Sequence, residues 1–161
     1  MSASAFEILS TKWEDKETLF TDIALACKRA ELYFLYSRKE IVLKLEVSSE
    51  RSLVLDLRDQ ENLKWYFDRY PMAKDEPEER IPYYIFNDFL GGQKFFSIVM
   101  ANNYLDSLLI WKFSIEYLKI NPSHYISIDR EIFFNSEELR ELEHTSGFAE
   151  GWCFKKDSLT S

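Results

Sequence analysis

Glycine and proline are scarce in this chain, four of each among 161 residues. That scarcity argues against a fold built on glycine-rich turns and against long irregular loops. The two cysteines, Cys27 and Cys153, are too few and too far apart for the disulfide framework of a small secreted domain. The two histidines, His124 and His144, have no second ligand at helical or strand spacing, so no zinc site is expected. Calcium-type Asp/Asn loops, a G-x-S-x-G elbow and the glycine-rich loops that cradle phosphates are all missing. Gly91-Gly92 reads as a tight connection rather than a nucleotide loop, and no cofactor or metal is expected. No apolar run approaches the about 20 residues of a membrane span. The start, "MSASAFEILSTKWEDK", has neither the basic nor the apolar region of a secretory signal. The expectation is a cytoplasmic protein in a reducing compartment.

Basic runs are lacking too. The longest are pairs (Lys28-Arg29, Arg38-Lys39, Lys155-Lys156), and the net charge is −8. Such a field repels nucleic-acid phosphates and suits either plain solubility or a basic partner.

Aromatic residues, by contrast, are plentiful: 4 Trp, 9 Tyr and 13 Phe. Most must be core, because a chain this small cannot expose that many and stay soluble; a minority can form a recognition surface. Their placement gives a coarse map. Leu19, Phe20, Ile23, Cys27 and Ala30 recur at helical spacing, and Thr11 with Glu14 offers a capping box for a helix beginning near Trp13. "ELYFLYS" extends that helix or starts a strand. Ile41, Leu43, Leu45 and Val47 alternate with Val42, Lys44 and Glu46, and after "SSERS" Leu53, Leu55 and Leu57 alternate with Val54, Asp56 and Arg58. This predicts an antiparallel hairpin over about 41–58 with one buried face. "DQENLKWYFDRY" is helical, with Leu63, Tyr66, Phe67 and Tyr70 on one side, and Pro71 ends it.

"PMAKDEPEERIP" (71–82) then reads as an exposed, proline-stiffened acidic loop within one domain spanning 1–161, since aromatic core segments flank it on both sides. "YYIFNDFL" is a short helix or turn, and "KFFSIVMA" a buried strand. A long central helix is expected from about Asn103 to Lys119, with Tyr104, Leu108, Trp111, Ile115 and Leu118 on its stripe. "HYISI" reads as a strand. Asn135 and Glu138 can cap a short helix closed by Gly147, and "GWCFKK" is read as a final strand. The mixture predicts an α+β domain, a mainly antiparallel sheet packed against several helices.

Catalytic readings find little support. Glu137 and Glu141 lie four apart, but with Arg140 between them they read as a solvated helix face. His144-Thr145-Ser146 reads as a helix end. Glu46 and Asp56 sit on the hairpin without the lysine that a nuclease pattern wants beside them. What remains is surface recognition. One acidic cluster is Asp75, Glu76, Glu78 and Glu79; a second is Glu137, Glu138 and Glu141. Tyr83, Tyr84 and Trp152 are candidate aromatic anchors beside them.

By overall profile (small, acidic, rich in aromatics, without an active-site motif) the chain resembles bacterial immunity proteins, which neutralise toxins by binding them. The resemblance implies a non-enzymatic inhibitor that offers acids and aromatics to a basic protein such as a toxin. A secretion chaperone or adaptor is the alternative binding reading and would bring a homodimer. An enzyme with an unfamiliar site, acting on nucleotides or sugars, is the alternative from another class.

Overall fold

The computed structural model describes residues 4–37, 40–86, 93–103 and 105–154. It contains β1 (Ser4–Ser10), α1 (Lys16–Arg29), β2 (Tyr33–Ser37), β3 (Glu40–Lys44), β4 (Ser52–Leu57) and α2 (Gln60–Arg69). After these come β5 (Tyr84–Phe86), β6 (Lys94–Asn103), α3 (Ser107–Ile120), β7 (Tyr125–Ile128), β8 (Ile132–Phe134) and α4 (Ser136–Thr145). The expected α+β fold is what the chain adopts. The strands form one antiparallel sheet in the order β2-β3-β4-β6-β1-β7-β8, with β5 paired to the first residues of β6.

The hydrophobic alternation of the strands decides how the layers stack. Phe6 and Ile8 of β1, Ile41 and Leu43 of β3, Leu53 and Leu55 of β4, and Ile126 and Ile128 of β7 share one face. They join the apolar stripes of α1 (Leu19, Ile23, Ala26, Cys27) and α3 (Leu109, Ile110, Phe113, Tyr117) in the main core. Full burial of each such large side chain stabilises the fold by about 1.5–3 kcal/mol. A register shift between Ile8 and Leu9 leaves Ile98 of β6 unpaired, so Ile98 and Val99 both enter this core. The opposite face carries a smaller apolar cluster, Leu9, Ile85, Phe95 and Phe133, beside the buried polar residues Glu7, Ser97 and Ser127.

The hairpin of β3 and β4 forms, but its turn begins earlier than expected: Ile41 lies opposite Leu55 and Leu43 opposite Leu53, β3 stops at Lys44, Glu46 falls in the turn and Val47 is exposed. "ELYFLYS" resolves into β2. α2 and α4 follow the expected bounds closely, each with a capping box, Asp59 with Asn62 and Asn135 with Glu138. Gly147, at φ +65°, closes α4 by donating its N–H to the Leu142 carbonyl.

Four expectations need correction. The cap of α1 is Asp15, whose carboxylate accepts from the Thr18 N–H; Trp13 precedes the helix, and Glu14 is drawn instead toward His124. The central helix starts at Ser107 behind the cap Asp106, because β6 stays paired with β1 as far as Asn103. Within "YYIFNDFL", Tyr84–Phe86 is a strand, held by β6; 87–90 lies outside the described residues. Trp152–Phe154 is a 3-10 turn rather than a strand, since the Phe154 N–H bonds locally to Gly151 O; Lys155 and Lys156 lie outside the described residues.

Candidate partner-binding surface

α2 ends at Arg69, ahead of Pro71, whose ring cannot continue a helix, and the chain turns through two 3-10 segments, Pro71–Asp75 and Glu78–Arg80. Ala73 and Ile81 are buried and pin the passage down, while Asp75, Glu76 and Glu78 stand in solvent. The side chain of Glu79 lies outside the described residues. Glu78 forms an ion pair with Lys94 at 3.4 Å, and the Lys94 ammonium sits 4.5 Å from the centre of the Tyr84 ring.

From Tyr84 an unbroken run of rings extends to the surface. Tyr84 meets Phe96 edge-on at 5.3 Å, and Phe96 packs on Trp13 at 4.8 Å. Trp13 meets Tyr83 at 6.4 Å, Tyr83 meets Tyr66 at 5.9 Å, and Tyr66 meets Tyr70 at 5.3 Å. The Arg58 guanidinium lies over Tyr83 at 5.0 Å. Most of these rings are half-buried. At the outer end the exposure is large: Trp65 59%, Tyr70 51% and Met72 76%. Arg69 lies 5.9 Å from both the Trp65 and Tyr70 ring centres. A groove of about 520 Å³, lined by Leu63, Lys64, Phe67 and Lys74, borders this patch.

The structure therefore links Glu78 to Tyr84 through Lys94, and Tyr84 and Tyr83 to Tyr70 through the ring run, with Trp65 beside Tyr70 across Arg69; Asp75, Glu76 and Met72 are exposed in the adjoining passage. Sequence reasoning passed over Trp65, Tyr70 and Met72. Trp65 carried a signal, since it lies off the apolar side of α2 defined by Leu63, Tyr66 and Phe67. Glu137, Glu138 and Glu141 are not brought to this surface: they ride on α4, which packs on α3. Glu137 and Glu141 face solvent, whereas Glu138 accepts from the Asn135 N–H as the reciprocal half of a helix cap. Trp152 is no surface anchor. It is 5% exposed, its rings packed between Trp111 and Phe134 and its indole N–H donated to the Ser107 carbonyl at 2.8 Å.

Two polar networks lie deeper. In the first, the Tyr117 hydroxyl donates to His124 Nδ1 at 3.0 Å, and His124 Nε2–H donates to Glu14 at 3.1 Å. Glu14 also accepts from the Ser10 hydroxyl. These directions belong to the neutral Nε2–H imidazole, the form that burial favours. Burial lowers the His124 pKa and raises that of Tyr117. The order Tyr–His–Glu has the form of a proton relay, but the Tyr117 hydroxyl end is fully buried and no reactant can reach it.

In the second, the Glu7 carboxylate, 1% exposed at the sheet centre, accepts two bonds from Arg130 at 2.9 and 3.0 Å and one from Ser97. Arg130 also donates to the Pro82 carbonyl, so it fastens the acidic passage to β1. Asp129 and Arg130 hold φ +55° and +58°, as a tight turn between β7 and β8 demands. The thiols of Cys27 and Cys153 are buried and raised to about 12, far from an activated nucleophile. No cluster of three metal-ligating side chains occurs among the described residues.

No protein-family model, curated protein or solved structure matches this chain.

Proposed function

We propose that this chain is a non-enzymatic protein-binding domain that presents the surface formed by Asp75, Glu76, Glu78, Tyr70, Trp65 and Met72 to a basic protein, in the manner of the toxin-neutralising immunity proteins its profile resembles. The observation that carries the reading is the exposure of Trp65, Tyr70 and Met72 within a few residues of the solvent-facing Asp75, Glu76 and Glu78, Met72 being the most exposed of the apolar three. Exposed acids raise the rate of encounter with a cationic partner, and exposed aromatics supply the contact energy once water is expelled. The rings beneath are already packed against one another, so little ordering entropy is lost when a partner arrives. Two buried free thiols favour the reducing cytoplasm as its place of action, and no helix among the described residues is long and apolar enough to cross a membrane.

The test is a photo-reactive side chain at position 72, activated in the native host. The expected result is one dominant adduct with a basic protein, lost when Trp65 and Tyr70 are replaced by alanine. A stoichiometric metabolite or metal in place of a protein partner would overturn the reading.

A further inference from the structure

At the far end of the sheet from β8, the strand β2 (Tyr33–Ser37) pairs with β3 along one edge, and no described strand pairs the other. Free edges are ordinarily blunted by a charge, a proline, a bulge or brevity. The opposite edge follows that rule, β8 having three residues. β2 does not: it reads Tyr-Phe-Leu-Tyr-Ser, with Tyr33, Leu35 and Tyr36 exposed by 40–57%. On one face Phe34 and Tyr36 hold Phe20 edge-on at 5.1 and 5.2 Å. On the other, Leu35 stands in register with Val42 and Val54, and Val54 is itself exposed.

We propose that β2 is the self-association edge of this protein, pairing antiparallel with β2 of a second copy about a two-fold axis at Leu35. Charge places such a contact here rather than elsewhere on the molecule. A molecule of net charge −8 repels its own kind over most of its surface, whereas Tyr33–Ser37 carries no charge at all.

Register argues for Leu35 as the centre. Ser37 pairs with Glu40, and strand partners so close in the chain are a hydrogen-bonded pair. By alternation, Tyr33, Leu35 and Ser37 turn their backbone groups toward β3, and Phe34 and Tyr36 turn theirs to the free edge. Centring on Leu35 then lets Phe34 and Tyr36 of each copy exchange four backbone hydrogen bonds. Leu35 faces Leu35 as a non-hydrogen-bonded pair, and every cross-strand neighbour in the middle of the interface is apolar.

Centring fixes the test. A non-hydrogen-bonded pair brings the two β-carbons to about 4.5 Å, the short end of the cross-strand range and the upper end of what a disulfide spans. Leu35→Cys should therefore form a covalent dimer under mild oxidation, with the buried Cys27 and Cys153 taking no part. Tyr33→Cys, opposite Ser37 in this register, should not. Leu35→Lys sets two ammonium groups face to face and should weaken dimerisation about ten-fold or more. Its circular-dichroism spectrum should stay native, because Leu35 is already exposed. Light scattering of the wild-type chain should show a dimer that dissociates on dilution. A monomer at every concentration, a dimer that Leu35→Lys leaves intact, or cross-linking at Tyr33→Cys as fast as at Leu35→Cys would each overturn the proposal.

Discussion

His124 is hydrogen-bonded to Tyr117 and Glu14, and burial favours its neutral imidazole, which accepts from the hydroxyl and donates to the carboxylate. Burial lowers its pKa below the ordinary value of about 6.5; the nearby Glu14 and Asp22 oppose the shift and Lys12 adds to it. The sign follows from linkage. Above pH about 6.5 the ring is neutral in both states and the network contributes fully. As pH falls further the unfolded chain binds a proton that the folded chain resists, so stability declines until the lowered folded pKa is reached. Urea unfolding of wild type and His124→Ala between pH 7 and 5 should show that slope in the wild type and a shallower one in the variant. At pH 7 the variant should be less stable by about 1–3 kcal/mol, because the Tyr117 hydroxyl loses its acceptor. The Glu7–Arg130 pair gives a second expectation at this scale. Arg130→Ala strands a carboxylate at the sheet centre and should cost about 3 kcal/mol. Combining it with Glu7→Gln should restore part of that loss, since the stranded charge is then gone.

Among the elements, those readable from sequence are those whose pattern is local. The β3–β4 hairpin shows period two on both strands, and α2 and α4 carry their caps and stripes in adjacent residues. β1 was not readable. "SAFEILS" is seven residues with only Phe6, Ile8 and Leu9 to mark it, and its place between β6 and β7 is fixed by partners 86 to 122 residues away. The same long-range pairing moved the start of α3. Helical spacing near Asn103 favoured an earlier beginning, and pairing of β6 with Ser4 and Ala5 outweighed it. α3 is therefore held at its start by Asp106, which accepts from the Leu108 and Leu109 N–H groups at 3.0 Å and pairs with Arg51. Asp106→Ala should cost about 1–2 kcal/mol by urea denaturation. The candidate surface was half readable: its acids and Tyr83–Tyr84 adjoin in sequence, while Trp13, Tyr66 and Phe96 reach it only through packing.

The 71–84 passage joins acids to rings, and Arg130 ties it to the central strand through Pro82. Trp65→Ala and Tyr70→Ala should each weaken partner binding by about 1–2 kcal/mol, chiefly by faster dissociation, with little effect on stability because both side chains are exposed. The acids should act on the other rate. The most direct measurement is therefore the association rate of the purified chain with its cross-linked basic partner, at low and at moderate salt, for wild type and for Asp75→Lys/Glu76→Lys/Glu78→Lys. The account predicts that charge reversal slows association about ten-fold or more at low salt and leaves dissociation and melting temperature nearly unchanged, the difference shrinking as salt rises. An association rate unchanged by reversing all three charges at low salt would contradict it.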